Sequence, residues 1–238
     1  MSREVRKLLA IGGVNGAVDT LEQLLSQLHD QSVAAVAVVG DLGAAWTKAD
    51  TYRAIFKALG HAGKPAFWVP GPVDAPLGDY LLECYNMETV YPHLRGLHGT
   101  FALARIGPNQ FLFAGMGGEI VDDPDAVRSE EALLRYPAWE VEYRLKVLSQ
   151  VKEHPKVFLF TTRPAHKGLR EPGSEALAEL IKTYNPRLVV VSGEGASEER
   201  LAKTIIVCPG RLDRGLYSLV DLHDLSVEVG TVAEQAAV

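Results

Sequence analysis

The stretch "KLLAIGGVNGAVDTLEQLLSQL", residues 7–28, decides the fold. Leu8 to Ile11 is a continuous apolar run, as expected of a strand covered on both faces. It meets the glycine-rich turn Gly12-Gly13-Val14-Asn15-Gly16, and a helix-period pattern follows. A strand whose C-terminal end enters a tight loop and a helix start is where α/β proteins place their chemistry. Yet the loop tip carries glycines and an asparagine, with no acid, histidine, lysine or cysteine.

The same grammar recurs outward from this unit. "VAAVAVVGD" (33–41) reads as a second strand buried on both faces, "KADTYRAIFKALGHAG" (48–63) as a helix, and "PAFWVPGPVD" (65–74) as a short strand ending in a Gly/Pro turn. "TFALARI" and "QFLFAGMGGE" are consecutive strands joined at "GPN", a hairpin signal. The spacing predicts a long amphipathic helix over 136–153, a strand at 156–164 and a helix over 174–183. Strands follow at 187–195, 204–210, 217–222 and 226–232. The order β-α-β-α-β, then hairpins mixed with helices, then mostly strands predicts layered α/β architecture with mixed sheets. One domain is expected, with its core at about 6–232. The first few residues, "DDPDAVRSEE" (122–131) and the tail 233–238 are expected to be loose.

Composition excludes several partner classes. The chain has 238 residues, 47% hydrophobic and 23% charged, and a formal net charge of −6. Its Lys and Arg are scattered, so neither a nucleic-acid footprint nor a polybasic membrane anchor is expected. No segment approaches the roughly 20 apolar residues of a membrane span. Cys84 and Cys208 form no motif, which suits a reducing compartment, and the expected location is cytoplasmic.

Groups at the carboxyl ends of the strands should converge on one cleft. The loops there are "GGVNG" (12–16), "GDLG" (40–43), "GPVD" (71–74), "GGE" (117–119), "TTRPAHKG" (161–168) and "SGEG" (192–195). In spacing and order these resemble the calcineurin-like metallophosphoesterases. That family's pattern runs G-D-x-H-G, G-D, G-N-H-[D/E], a lone His, then G-H-x-H. The resemblance covers about residues 6–232. It implies the calcineurin-like phosphoesterase fold, an α/β structure with two mixed β-sheets in a sandwich flanked by helices. It also implies two metals at the strand ends, about 3.5–4 Å apart, that clamp a phosphoester and activate a water.

Carried over residue by residue, the ligand set is nearly empty. The first Asp falls at Gly13 and the first His at Asn15. The bridging Asp is present as Asp41. The Asn ligand is Pro72, and the adjacent His, the leaving-group acid, is Val73. The lone His falls at Thr161 or Thr162, and the last two at Glu194 and Ala196. Asp74 matches the family residue that supports the missing histidine, and so stands as the remnant of the catalytic pair. Asp41, Asn15 and Glu194 are the remnant metal positions. Two transition metals are therefore not expected, because imidazole and bridging carboxylate ligands supply their affinity. Oxygen donors of this kind suit Ca²⁺ or Mg²⁺ at most, and otherwise no cofactor is expected.

Asp41, Asp74, Glu119 and Glu194 are expected to converge without metals, and repulsion among Asp41, Asp74 and Glu194 should raise at least one pKa. Arg163, His166 and Lys167 stand beside the cleft as substitute cations. Gly13, Asn15 and Gly16 could offer amides at a helix start to the same anion. In "RYPAWEVEYRLK" (135–146), Tyr136, Trp139 and Tyr143 either pack the helix on the sheet or form a subunit interface, which leaves a homo-oligomer open. The expected function is a phosphoesterase-fold protein that has lost its dinuclear centre and activity, with a cleft for a small anion, a phosphorylated ligand or a partner. The alternative is an active phosphoesterase with an atypical or single-metal site. A nucleotide-binding module ranks last, since G-x-G-x-x-G spacing and a Walker lysine are missing.

Overall fold

The structure, a computed structural model, describes residues 6–28, 32–44, 47–74, 77–129, 134–169 and 173–232. The tail 233–238, the first five residues and Glu130-Glu131 lie outside them. Two six-stranded sheets face one another. The first has the order β14 (Val227–Thr231), β13 (Leu216–Asp221), β1 (Lys7–Gly12), β2 (Val33–Val39), β3 (Ala66–Val69), β4 (Leu94–Gly96). The second runs β11 (Ala196–Leu201), β12 (Thr204–Pro209), β10 (Leu188–Val191), β9 (Lys156–Phe160), β6 (Asn109–Met116), β5 (Thr100–Ile106). Within each sheet a parallel centre is flanked by antiparallel strands, β13 and β14 in one, β11 and β5 in the other. The calcineurin-like arrangement of two mixed sheets flanked by helices is thus present.

Why the central strands are apolar throughout follows from their alternation. Leu8 and Ala10 of β1 face the opposing sheet, while Leu9 and Ile11 face the helices. Small inner residues (Ala10, Ala35, Ala37) make room for Phe111 and Phe113, and Phe67 stacks on Phe113 with ring centroids 4.0 Å apart. The outer face of the first sheet is covered by α1 (Val18–Gln27), α2 (Ala49–His61) and α3 (Leu77–Val90) through Leu21, Leu24, Phe56 and Tyr80. Over the second lie α4 (Ala138–Leu145) and α5 (Glu175–Tyr184), through Val141, Leu145, Leu177 and Ile181. No helix among the described residues is long and apolar enough to cross a membrane.

Three local features differ from the sequence reading. The helix predicted over 136–153 begins at Ala138, because Arg135–Pro137 forms β8 and pairs with β7 (Glu119–Val121); it tightens into a 3-10 turn over Lys146–Ser149. Val141 and Leu145, four residues apart, set its inward face, so Trp139 and Tyr143 point outward at 60% and 75% exposure. Only Tyr136 packs, its ring 4.9 Å from that of the half-buried His98. Helix α3 and strand β11 were not anticipated. The apolar residues of α3 lie all round it, with Tyr80, Cys84 and Met87 buried and Leu81, Leu82 and Tyr85 exposed, so no period marks it. Strand β11, "ASEERL", is a charged edge strand.

This packing predicts a sharp contrast in stability. Phe113→Ala should lose about 3–5 kcal/mol, whereas Trp139→Ala and Tyr143→Ala should each stay within about 1 kcal/mol of wild type. Denaturant unfolding measures both.

Candidate functional site

The parallel strands of both sheets end on the same side, and their loops enclose a cleft of about 330 Å³. Gly13 and Asn15 come from the loop after β1, Gly40 and Asp41 from that after β2, and Pro72 from that after β3. Across from them stand Thr161 after β9, Ser192 to Glu194 after β10, and Arg211 after β12.

Arg211 is the charged centre of this cleft. Its Nη1 donates to both Glu194 oxygens at 3.0 and 3.3 Å, and its Nε donates to Asp213 Oδ1 at 2.9 Å. Nη2 donates to Asp213 Oδ2, which completes a two-pronged guanidinium–carboxylate pair. Arg214 Nη2 adds a second contact to Glu194 at 2.9 Å. The stem of Arg211 lies against Gly13: a Cβ built on that glycine would stand 3.0 Å from Arg211 Cγ. Gly13 and Asn15 hold the left-handed region, with φ of 50° and 48°. Hydrogen bonding to Arg211 holds the Asp213 carboxyl below its usual range, with a smaller contribution from the Asn15 amide.

Asp41 is mostly buried, and burial raises its pKa to about 6; the neighbouring Asp74 charge adds to the rise, while the Val73 amide and Arg211 oppose it. The cause is thus desolvation first and repulsion second. Its Oδ1 accepts from the Val73 amide at 3.0 Å. Asp74, fully buried, stands behind the cleft and not in its lining. Its Oδ2 accepts from the amides of Leu42 (2.9 Å) and Gly71 (2.7 Å). Its Oδ1 accepts from the Gly43 amide (2.7 Å) and the Tyr52 hydroxyl (3.0 Å). Burial raises its pKa, and these four donors oppose the rise.

The remaining candidates are placed as follows. Glu119 pairs with Arg135 at 2.7 Å, away from the other acids. Thr161 Oγ1 donates to the Gly118 carbonyl at 2.5 Å, and Thr162 Oγ1 accepts from the Ile120 amide at 2.7 Å. The amides of Gly13, Asn15 and Gly16 donate inward, to the carbonyls of Val39 (3.2 Å), Asp41 (3.1 Å) and Leu42 (2.9 Å). They face the neighbouring loop because the left-handed turn rotates them onto it. Arg163 Nη2 donates to Ser197 Oγ at 3.0 Å, and its Nη1 lies 3.4 Å from Glu199. His166 and Lys167 are exposed and do not line the cleft. The structure therefore brings Gly13, Asn15, Asp41 and Glu194 together and leaves Gly16, Asp74, Arg163, His166 and Lys167 outside the lining. No group of three or more His, Cys, Asp or Glu side chains placed to hold a metal occurs among the described residues.

Residues 48–232 match the family described as "Metallophosphoesterase, calcineurin superfamily". The chain belongs to the calcineurin superfamily of metallophosphoesterases. Among solved structures it is similar to TT1561 of Thermus thermophilus, at 44% identity over 96% of this chain and 99% of that one, with a TM-score of 0.89. A putative 5′-nucleotidase from Staphylococcus aureus shares the fold at 12% identity and a TM-score of 0.61, with 97% of this chain covering 55% of that one. An archaeal phosphodiesterase shares it at 9% identity and a TM-score of 0.51, over 94% and 99% of the two chains. No curated protein matches the chain in sequence.

Arg211 was absent from the sequence-based candidates. Its signal is "CPGRLDRG" (208–215), an apolar strand running into a Pro-Gly turn with two arginines around an acid. The family pattern contains no cation at that place.

Two outcomes follow for the acids. Asp74→Ala would leave three buried amides and a hydroxyl unpaired, so unfolding free energy should drop by more than about 3 kcal/mol. Asp41 behaves differently. A carboxyl with a raised folded pKa contributes stability below its unfolded value near 3.8, and that contribution is lost as pH rises through about 6. Asp41→Asn should therefore melt about 3 °C or more above wild type at pH 7.5, taking about 2–4 °C per kcal/mol. The gap should close as pH falls from 6 to 4, which thermal denaturation across pH reads directly.

Proposed function

We propose that this superfamily member has exchanged the dinuclear metal centre for a protein-borne cation, and that its cleft holds a small anion or phosphorylated ligand without hydrolysing it. The observation that carries this reading is the place of Arg211. Its guanidinium lines the same cleft as the remnant ligand positions and already pairs with Glu194, while its stem occupies the space beside Gly13 where a ligand side chain would extend. The donors that remain do not fit two transition metals. Gly13 has no donor atom, the Asn15 amide is engaged with the Gly13 carbonyl, and Asp41 is the single carboxylate in its family position.

An anion in this cleft would be held by Arg211 in competition with Glu194. Glu194 is 70% exposed at its side chain, so it can yield to a ligand at small cost. The fork of Arg211 suits a planar or tetrahedral oxyanion. The family's leaving-group acid has no counterpart, since its position is Val73, and the other histidine positions are Asn15, Thr161 or Thr162, Glu194 and Ala196.

Calorimetry with inorganic phosphate tests the reading. Glu194→Gln should bind about 3- to 10-fold more tightly than wild type and Arg211→Ala should not bind, with affinity falling as salt rises. Aryl phosphates should remain intact when Mn²⁺ is supplied. Gly13→Asp alone should restore neither metal binding nor turnover, because Arg211 fills its path. Stoichiometric uptake of two transition metals with Asp41-dependent hydrolysis overturns the reading.

A further inference from the structure

The opposite end of the sandwich carries a second cavity, of about 240 Å³, at the starts of β1 and β10 and against the β5–β6 and β13–β14 turns. Its floor is apolar: Ile106, Phe111 and Leu222 are 4%, 3% and 2% exposed. Its walls carry two guanidinium groups, Arg6 and Arg187, and the Asn109 amide, and among the described residues no Asp or Glu lines it. Arg187 Nη2 donates to the His223 carbonyl at 2.7 Å, which fixes the group at the rim. No carboxylate pairs with Arg187 among the described residues.

Among the described residues, the acids of β13, of the turn after it and of β14 are committed elsewhere. Asp221 Oδ1 accepts from the amides of His223 and Asp224, at 2.7 and 3.4 Å. Asp224 accepts from the Ser226 amide at 2.8 Å, and Glu228 pairs with Lys7 at 2.9 Å. A partly buried, uncompensated guanidinium above an apolar floor is poorly served by water alone. Its planar fork is more weakly hydrated than an ammonium and matches carboxylate or phosphate oxygens in pairs.

We propose that this cavity binds a small organic anion, with its phosphate or carboxylate head on Arg187 and an apolar body of about one ring against Phe111. Such a ligand cannot also reach the cleft. Strand β10, Leu188–Val191, separates the two sites by four residues, about 13 Å at ~3.3 Å per residue. The proposal is independent of the reading of the cleft.

Calorimetric titration of the full chain with phenyl phosphate, benzoate, inorganic phosphate and benzyl alcohol tests it. At least one of the two aryl anions should bind, and the tighter identifies the head group the site takes. Inorganic phosphate should bind this site at least tenfold more weakly, lacking the ring, and benzyl alcohol should give no heat, lacking the charge. Arg187→Met, which keeps the stem, should weaken the aryl anion tenfold or more. Arg187→Lys should retain part of the affinity, and with the cleft's own anion site removed by Arg211→Ala the aryl anion should still bind here. Unaltered binding in Arg187→Met, loss that tracks Arg211, equal binding of benzyl alcohol, or no binding of either aryl anion overturns the proposal.

Discussion

The carboxylate of Asp74 accepts four hydrogen bonds in a place that water does not reach, and through them it ties the β2 loop, the β3 loop and α2 into one arrangement. A buried acid with fewer donors would be a liability, since burial penalises its charged form. Here each oxygen receives two donors, and the loops in return satisfy amides that have no strand to pair with. Asp41 completes the exchange in the other direction. It belongs to the β2 loop and accepts from Val73 in the β3 loop, while Asp74 belongs to the β3 loop and accepts from Leu42 and Gly43 in the β2 loop. The two loops clasp one another, and the cleft inherits its shape from that clasp. This gives Asp74 a folding duty that is separate from the chemistry of the family pattern, in which the neighbouring position is now Val73.

Once the loops are fixed, the electrostatic problem at their tips is set. Asp41 and Glu194 line the cleft, and Asp213 stands beside it on Arg211. Arg211 and Arg214 supply positive charge there. The arginines differ from metals in a way that matters: a guanidinium directs its donors in a plane and has no vacant coordination position to polarise a water. The contacts are also unequal. Arg211 and Asp213, each less than a third exposed, meet in a two-pronged pair, whereas Glu194 is largely in water and is held loosely. Asp41 receives only the distant influence of Arg211, so burial dominates and its pKa rises.

What could be read from the residues follows from how many constraints each element carries. The β1, β2, β9, β10 and β12 strands are enclosed on both faces, so each must be apolar along its length and is visible as a run. The hairpin at Gly107-Pro108 is visible because the turn needs a residue with positive φ, and Gly107 has φ of 59°. Helix α3 escaped because it presents apolar side chains to solvent as well as to Tyr52 and Phe56, which erases the period. At the site, the loops were legible through their glycines and the missing ligands through the family pattern. The charge that fills the space was not, because Arg211 comes from a strand end outside that pattern and its role exists only in three dimensions. The direction of the loop amides was equally invisible, since a glycine turn can point its N–H groups outward or, as here, onto the adjoining loop.

The arginines of this protein can be ranked as anion receptors by what each would have to surrender. Arg163 is 12% exposed at its side chain and lies against Glu199, which is 9% exposed; a ligand drawing it away would strand a carboxylate in a place poor in water. Arg211 has all three guanidinium nitrogens engaged, but one of its partners, Glu194, is 70% exposed and regains hydration when released. Arg187 surrenders nothing charged, because its partner is the His223 carbonyl, which a bound ligand need not displace. The penalty for capturing an anion therefore falls from Arg163 to Arg211 to Arg187, and it falls with distance from the family's site. In the cleft Arg211 and Arg214 are engaged with Glu194 and Asp213. At the far end of the same strands, where that pattern places no acid, Arg187 has no carboxylate partner among the described residues.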